Sequence, residues 1–308
     1  MSSRVLVVFP GALGDLVCLV PALRELARRH GSAPVLLCKG NLAPLVAAAG
    51  LAAAESIERR EASWLFSREP PPEAATFFGA FSSIESFTGA GVAEVERNLS
   101  RWTGGAARVH PFRPSERMHL AEHFLRSIGV SRAPEEPFDA HLEMAPEVLA
   151  VAAARWGSRR RPLLVVHPGS GGFAKRWSRG GFERVANRWL ERGGGIVLLL
   201  GAAEGSTEAK AWSAKGFEVA SGMDLVAVAA LLSVADAYLG NDSGVSHLAS
   251  VVGARGVALF GPTDPRRWGP LCPGVRAVVL EPWSTTDENP PAGVIDAVEH
   301  ALDVCLTR

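Results

Sequence analysis

Short apolar runs and helical apolar stripes follow one another along most of the chain. An apolar run at 5–9 predicts a strand, and leucines then recur every three or four positions from Leu16 to Leu26, which predicts a buried helix face. Pro21 lies inside that stripe and predicts a kink or a helix that begins in two steps. The segment 53–114 has a weaker pattern, with a strand expected near 80–84 and a helix near 92–102.

The alternation restarts after residue 162. Across the chain, further strands are predicted at 35–38, 163–167, 196–200, 217–220, 237–239, 257–260 and 275–280, and further helices at 42–49, 116–128, 182–190, 204–215, 224–234, 245–252 and 292–306. Repeated strand–helix units build parallel sheets covered by helices, so we predict an α/β protein with two doubly wound sheets. A segment rich in proline and charge marks the boundary, and we place the two domains at 1–155 and 156–290.

Composition narrows the function classes. The 308 residues are 47% hydrophobic, and 32 basic side chains balance 32 acidic ones. A general nucleic-acid binder carries a basic excess, so we expect no nucleic-acid partner. Four scattered cysteines without metal-ligand spacing indicate reduced thiols, and we find neither a signal peptide nor a membrane span, so we expect a cytoplasmic protein.

A GxxGD sequence joins the first predicted strand to the first predicted helix. Gly11 and Gly14 allow a tight turn and close approach to a ligand, and Asp15 stands at the mouth of the helix. A carboxylate there commonly caps a helix. The alternative is a general base at a cleft between the domains, where ligands of such sheets are expected.

A second loop, at 167–177, follows the first strand of the second half. It is rich in glycine and serine and ends in Lys175 and Arg176, which suits anionic oxygens. The alternative is an exposed glycine loop with solvated charges. It lacks the lysine–hydroxyl ending of a P-loop.

The most informative stretch is 240–270. Asp242, Ser243 and Gly244 end one apolar run and start a helix, whose first backbone N–H groups attract a diphosphate. Asp242 repels phosphate, so we expect it to bond sugar hydroxyls or to cap the helix. His247 suits packing and ligand binding equally well. The turn at 261–265 follows the next strand and is expected beside this site.

Two further sets of residues bear on function. No DxD, HExxH, GxSxG or clustered Cys/His motif occurs in the sequence, so a metal-dependent phosphate site has no obvious ligands. Basic side chains in the first half form either a solvated surface or a patch for a phosphorylated acceptor: Arg59, Arg60, Arg97, Arg101, Arg113 and Arg117.

Taken together, the GxxGD start, the PGxxxxxKRW middle and the late NDSGxxHLAxxxG…ALFGPTDP sequence resemble the bacterial heptosyltransferases, glycosyltransferase family 9. The resemblance runs in order from about Val5 to Trp268. It implies a GT-B fold, with the acceptor bound by the N-terminal domain and the nucleotide-sugar by the C-terminal domain. It also implies that the last helix, at 291–308, packs back on the N-terminal domain.

The resemblance also assigns roles to matching positions. Asp15 matches the family's catalytic base, and Lys175 matches the lysine that meets the donor's phosphates. The remaining matches are donor-binding positions: Ser170, Met223 beside adenine, and Asp242, Ser243, Gly244 and His247 around the diphosphate and sugar. Either Glu204 or Glu208 fills the acidic ribose-binding place.

The implied reaction is metal-independent, inverting transfer of heptose from ADP-heptose to a lipopolysaccharide-core or related glycan acceptor. No cofactor is expected, and a glycolipid acceptor implies contact with the cytoplasmic face of the inner membrane. The segment 282–289 lacks the cysteine that the family often has there. Two alternatives stay open: a non-catalytic relative that binds nucleotide or glycan, and a sugar-nucleotide epimerase.

Overall fold

The structure is a computed structural model that describes residues 4–133, 135–201 and 204–307. These residues form two compact units, and the division falls between Asp139 and Ala140. Within the described ranges, every helix is too short or too polar to cross a lipid bilayer.

The first unit is built around a five-stranded parallel sheet. Its strands are β1 (Val5–Val8), β2 (Val35–Cys38), β3 (Ala53–Ser56), β4 (Ser83–Ser86) and β5 (Ala107–Val109). Its helices are α1 (Leu13–His30), α2 (Ala43–Ala48), α3 (Arg60–Trp64), α4 (Pro72–Gly79), α5 (Ala93–Thr103) and α6 (Leu120–Ser127). The strand order is β3-β2-β1-β4-β5, with Leu6 opposite both Val35 and Ile84. The core includes Leu6, Ile84 and Phe78, all fully buried.

The second unit contains a six-stranded parallel sheet. Its strands are β6 (Leu163–His167), β7 (Gly195–Leu200), β8 (Val219–Ser221), β9 (Ala237–Asn241), β10 (Gly256–Phe260) and β11 (Val275–Val279). Its helices are α7 (Pro146–Trp156), α8 (Arg179–Glu191), α9 (Gly205–Ser213), α10 (Leu225–Val234), α11 (Gly244–Val251), α12 (Pro265–Trp268) and α13 (Ala292–Leu306). The strand order is β8-β7-β6-β9-β10-β11.

Both sheets reverse their strand order beside the first strand of the unit, between β1 and β4 and between β6 and β9. Ligands of open parallel sheets bind outside the carboxyl ends of the strands at such a reversal. The topology therefore directs attention to the loops after β1, β4, β6 and β9. The predicted pair of doubly wound sheets is confirmed.

Some predicted elements differ from the structure. Helix α1 is one continuous helix through Pro21 and does not begin in two steps, because the fully buried Leu19 and Leu23 on either side hold it against the core. The helix predicted at 116–128 begins only at Leu120, where the His119 side chain accepts a hydrogen bond from Ala121 N. Strands β3 and β5 were not predicted, because their partly exposed residues give no apolar run.

The division between the units differs from the predicted boundary at 155/156. Helix α7 packs against α10, and Trp156 at its end is 3% exposed, so α7 belongs to the second unit. The last helix was predicted to pack on the N-terminal domain. Ile295, Val298 and Leu302 instead lie in the core of the second unit, because the apolar face of α13 covers β9 and β10.

Candidate functional site

The carboxyl ends of β6, β9 and β10 converge on Asp242. Its carboxylate Oδ2 lies 2.9 Å from Lys175 Nζ and accepts a 2.7 Å hydrogen bond from Thr263 Oγ1. Ser170 Oγ donates to the Asp242 main-chain oxygen over 2.8 Å. The Asp242 side chain is 5% exposed and the Lys175 side chain 38%. We call these four residues the Asp242 cluster; it joins a buried carboxylate to a cation that solvent and a ligand can reach.

A buried asparagine fixes the loop that carries Ser170 and Lys175. Asn241 Nδ2 donates to Pro168 O over 2.7 Å, and its Oδ1 accepts from Trp177 N over 2.9 Å. Asn241 is fully buried, so these bonds satisfy its amide and tie both ends of the loop to β9. Sequence reasoning missed this role, although an asparagine ending an apolar strand is a signal for it.

Helix α11 begins directly after Asp242. Ser243 is the N-cap, and its hydroxyl accepts from Ser246 N, while Gly244 is the first helical residue. The first N–H groups of a helix have no intrahelical acceptor and carry partial positive charge, which suits an anion. His247 is 7% exposed in the first turn. Predicted residues 242–244 and 247 thus share one helix start.

The helix start rests on a buried hydroxyl pair. The Tyr238 hydroxyl and Ser246 Oγ are 2.8 Å apart, and both residues are buried. Burial raises the pKa of Tyr238, so the phenol stays neutral and serves as a hydrogen-bonding group.

Glu204 contacts the loop after β6 through Arg176. Arg176 donates to Ser170 O through Nε and Nη2, at 3.1 and 2.9 Å, and its Nη2 is 3.3 Å from Glu204 Oε1. Glu204 Oε2 also accepts from Gly201 N at 2.8 Å, and its side chain is 5% exposed. A Cβ on Gly169 would lie 2.5 Å from Glu204 Oε1, so a larger residue there would displace the Glu204 carboxylate. These contacts fix the conformation of the loop after β6.

His167 at the end of β6 is a neutral structural histidine. Its Nδ1 lies 2.8 Å from Leu199 O and therefore carries the proton. Burial lowers the pKa of His167, against the opposing effect of the nearby Glu204 carboxylate.

Met223 and Glu208 lie apart from the contacts described for the Asp242 cluster. Met223 precedes α10 and lines an apolar groove of about 230 Å³ with Val151 and Trp156. Glu208 on α9 accepts a hydrogen bond from Trp212 Nε1 over 3.2 Å.

In the first unit, Asp15 lies in the first turn of α1. Its Oδ2 accepts from Ala12 N over 3.0 Å, so Asp15 reaches back from the third helical position to the N-cap residue Ala12 and is not itself the predicted N-cap. Its Oδ1 accepts from Arg113 Nη1 over 2.7 Å, and the Asp15 side chain is 15% exposed. The Arg113 guanidinium also lies 4.6 Å from the centre of the Phe112 ring. The ion pair with Arg113 was not predicted.

A second acidic group lies at the same edge of the first sheet. Glu85 on β4 is 1% exposed, and its Oε2 is 2.6 Å from His110 Nε2. Arg108 Nη2 is 3.1 Å from the other carboxylate oxygen. Among the residues that the structure describes, no group of three or more His, Cys, Asp or Glu side chains is arranged to hold a metal ion.

Comparison with known proteins identifies the family. The model of glycosyltransferase family 9 (heptosyltransferase) matches residues 118–290, more than half of the chain. Lipopolysaccharide heptosyltransferase 2 of Escherichia coli K12 is 29% identical over 134 residues, which are 40% of this chain and 38% of that protein. The chain thus aligns in sequence with well under half of this curated relative's length.

Solved structures extend the likeness to the whole fold. E. coli ADP-heptose lipopolysaccharide heptosyltransferase II superposes with a TM-score of 0.78 at 18% identity, covering 99% of this chain and 98% of that one. E. coli heptosyltransferase WaaC with ADP gives a TM-score of 0.67 at 21% identity, covering 98% and 99%. These matches confirm the GT-B fold, and the family model shows that the chain belongs to glycosyltransferase family 9, the heptosyltransferase family.

Proposed function

We propose that this protein transfers a sugar, heptose from ADP-heptose, to a hydroxyl of a lipopolysaccharide-core or related glycan, with inversion and without a metal ion. The observation that carries the proposal is the Asp242 cluster. It brings a cation, a buried carboxylate and the start of helix α11 to one sheet edge, which suits the diphosphate and the sugar of a single ligand.

The positive charge for the diphosphate comes from Lys175 and the helix start. An ammonium carries three N–H donors, and the contact with Asp242 uses one of them. Lys175, with the amides of Ser243 and Gly244, stabilises the charge that builds on the departing ADP. Asp242, neutralised in part by Lys175, accepts hydrogen bonds from sugar hydroxyls. His247 and Ser170 complete the proposed donor site, and the place of Met223 beside the adenine stays a prediction, since Met223 lines a separate groove.

Asp15 is the proposed base. The acceptor oxygen attacks the anomeric carbon as its proton passes to the Asp15 carboxylate. The bond from the anomeric carbon to the diphosphate oxygen breaks, and its electron pair leaves with ADP. Attack opposite the leaving group inverts the anomeric centre. The partial exposure of Asp15 and its fixed orientation by Arg113 support a carboxylate that a substrate can reach.

The test is ADP release from ADP-heptose, with and without a truncated lipopolysaccharide acceptor. We expect release that requires acceptor and falls about 10²–10⁴-fold in Asp15→Asn, the range for loss of a general base. Tight ADP-heptose binding without turnover on any acceptor would instead identify a non-catalytic relative. Conversion of the donor without acceptor would identify an epimerase. Contact with the inner membrane stays a prediction, which vesicle sedimentation would test.

A further inference from the structure

A groove of about 410 Å³ opens in the first unit where β1 and β4 end. Val8, Pro10 and Leu65 line its apolar side, and Phe66 stands at its rim with 49% of its surface exposed. Pro10 belongs to the loop that leads from β1 to Asp15. We call this feature the Phe66 groove; the loop that lines it leads into the helix that carries the proposed base.

The backbone on each side of Phe66 is held from within. Asn98 Nδ2 on α5 donates to Leu65 O over 3.1 Å and to Ser67 O over 2.8 Å. Asn98 is only 3% exposed, so a buried amide fixes the turn while the aromatic ring points outward. Ligand pockets are lined mainly by apolar and aromatic side chains, and Phe66 adds an exposed aromatic ring on a fixed backbone to such a groove.

Arg59, the cationic side chain that lines this groove, is paired with two acidic side chains of the protein. Arg59 lines the groove, its Nε donates to Glu61 Oε2 over 2.9 Å, and its Nη1 pairs with Glu55. The hydrogen bond from Arg59 holds the pKa of Glu61 at about 2. The Arg59 guanidinium also lies 4.8 Å from the centre of the Phe77 ring. Arg59 is therefore oriented by its own neighbours.

Glu58 contributes a further negative charge to the groove. It accepts hydrogen bonds from the Ser56 hydroxyl and from Gly40 N, and these bonds hold its pKa below the usual range. Of the described residues that line the groove, the charged ones are one acid and one base, Glu58 and Arg59. A phosphorylated ligand is recognised by an excess of cationic donors, and this lining does not provide one.

We propose that the Phe66 groove binds an uncharged, hydroxyl-rich sugar of the acceptor, with the apolar face of the sugar ring stacked on Phe66. The groove combines an apolar side with polar lining residues, including Ser63 and Thr88, as small-molecule sites do. This inference rests on the proposed function, because it names the acceptor class of the same transfer. Arg59, which the sequence offered as part of a patch for a phosphorylated acceptor, is instead paired with acidic side chains of the protein.

Binding of small acceptor fragments to the full chain tests the groove. The probes are a neutral methyl heptoside and the same glycoside with one phosphate monoester, titrated by NMR at low and high salt. We expect Phe66→Ala to weaken binding of the neutral glycoside roughly tenfold and Phe66→Tyr to retain it, because the stacking surface is lost only in the first. Val279→Ala is the matched control, since Val279 in the second unit is also 49% exposed.

Two results would overturn the inference. One is unchanged binding of the neutral glycoside in Phe66→Ala. The other is much tighter, salt-sensitive binding of the phosphorylated glycoside to the unmutated chain, which would show a cationic site. A failure of the proposed sugar transfer would give a different result. ADP release would then never depend on an acceptor, whereas binding of the glycoside would still depend on Phe66.

Discussion

The polar side chains at the carboxyl ends of the strands are arranged differently in the two sheets. In the second unit, side chains that follow β6, β9 and β10 meet on one carboxylate, that of Asp242. In the first unit, the polar groups form separate pairs, Asp15 with Arg113 and Glu85 with His110, beside an open groove. The edge of the second sheet thus gathers its charged groups at one point, whereas the edge of the first sheet has separate pairs beside a groove.

The residues that match the family model lie mainly in the second unit. Residues 118–290 contain the whole Asp242 cluster but neither Asp15 nor the Phe66 groove. This agrees with a donor site that related proteins share and an acceptor site particular to each.

Replacement of Lys175 should have the largest effect in the second unit. Lys175→Met removes the cation on Asp242, and we expect kcat/KM with ADP-heptose to fall about 10²–10³-fold, as for loss of one preorganised electrostatic group. The measurement is steady-state ADP release. Lys215→Met is the control, because its ion pair with Glu183 lies on the surface and contributes little. Equal losses in both variants would contradict the assignment.

Removal of one hydroxyl from the Asp242 cluster should have an intermediate effect. Thr263→Val deletes the 2.7 Å hydrogen bond to Asp242 with almost no change in volume. A hydrogen bond to a charged group contributes about 1.5–3 kcal/mol, so we expect donor affinity to fall roughly tenfold in calorimetry. Thr76→Val on the exposed surface of α4 should leave affinity unchanged. An unchanged Kd in Thr263→Val would mean that Asp242 does not need this contact.

Arg113 should act on turnover rather than on donor binding. Arg113→Lys keeps the charge but not the fixed direction of the guanidinium, so Asp15 loses part of its orientation. We expect kcat to fall about fivefold, in line with an ion pair of roughly 1 kcal/mol near the surface. Donor Kd should not change. A weakened donor Kd with unchanged kcat would remove the functional distinction between the two sheet edges.

The smallest effect concerns acid stability of the second unit. Because burial lowers the folded-state pKa of His167, the unfolded chain takes up a proton first as the pH falls below the ordinary value near 6.5. The stability is present above that pH and is lost progressively below it. Thermal unfolding from pH 7.5 to 5.5 should show this loss, and His167→Gln should reduce its slope. The exposed His300→Gln is the control, and an unchanged slope in His167→Gln would refute the role.

The sequence predicted the second unit better than the first, for a physical reason. Strands β6, β7, β9 and β10 are buried along their whole length, so each is an apolar run visible without neighbours. Strands β3 and β5 are partly exposed and lack that pattern. The helix start at Ser243 was predictable because the apolar run, the turn and the helical stripe are contiguous.

Contacts between distant residues were beyond sequence reasoning. The motifs containing Ser170, Lys175 and Asp242 were identified, but the pairing of Lys175 with Asp242 joins residues 67 positions apart. Asp15 and Arg113 are 98 positions apart, and no local pattern links them. Parallel sheets bring the ends of such strands together, and only the strand order shows which ends are neighbours.

The central claim is that the second unit holds the donor while the first supplies the base. Its most direct test is the Kd for ADP-heptose, measured by calorimetry in Lys175→Met and Asp15→Asn side by side. We predict a loss of affinity of at least roughly tenfold in Lys175→Met, because a charge-assisted contact to the diphosphate is removed. Asp15→Asn should bind the donor with a Kd within about twofold of that of the unmutated chain, because Asp15 is not one of the proposed donor-binding residues and independent sites do not alter each other's contributions. Weakened donor binding in Asp15→Asn with unchanged binding in Lys175→Met would contradict the account.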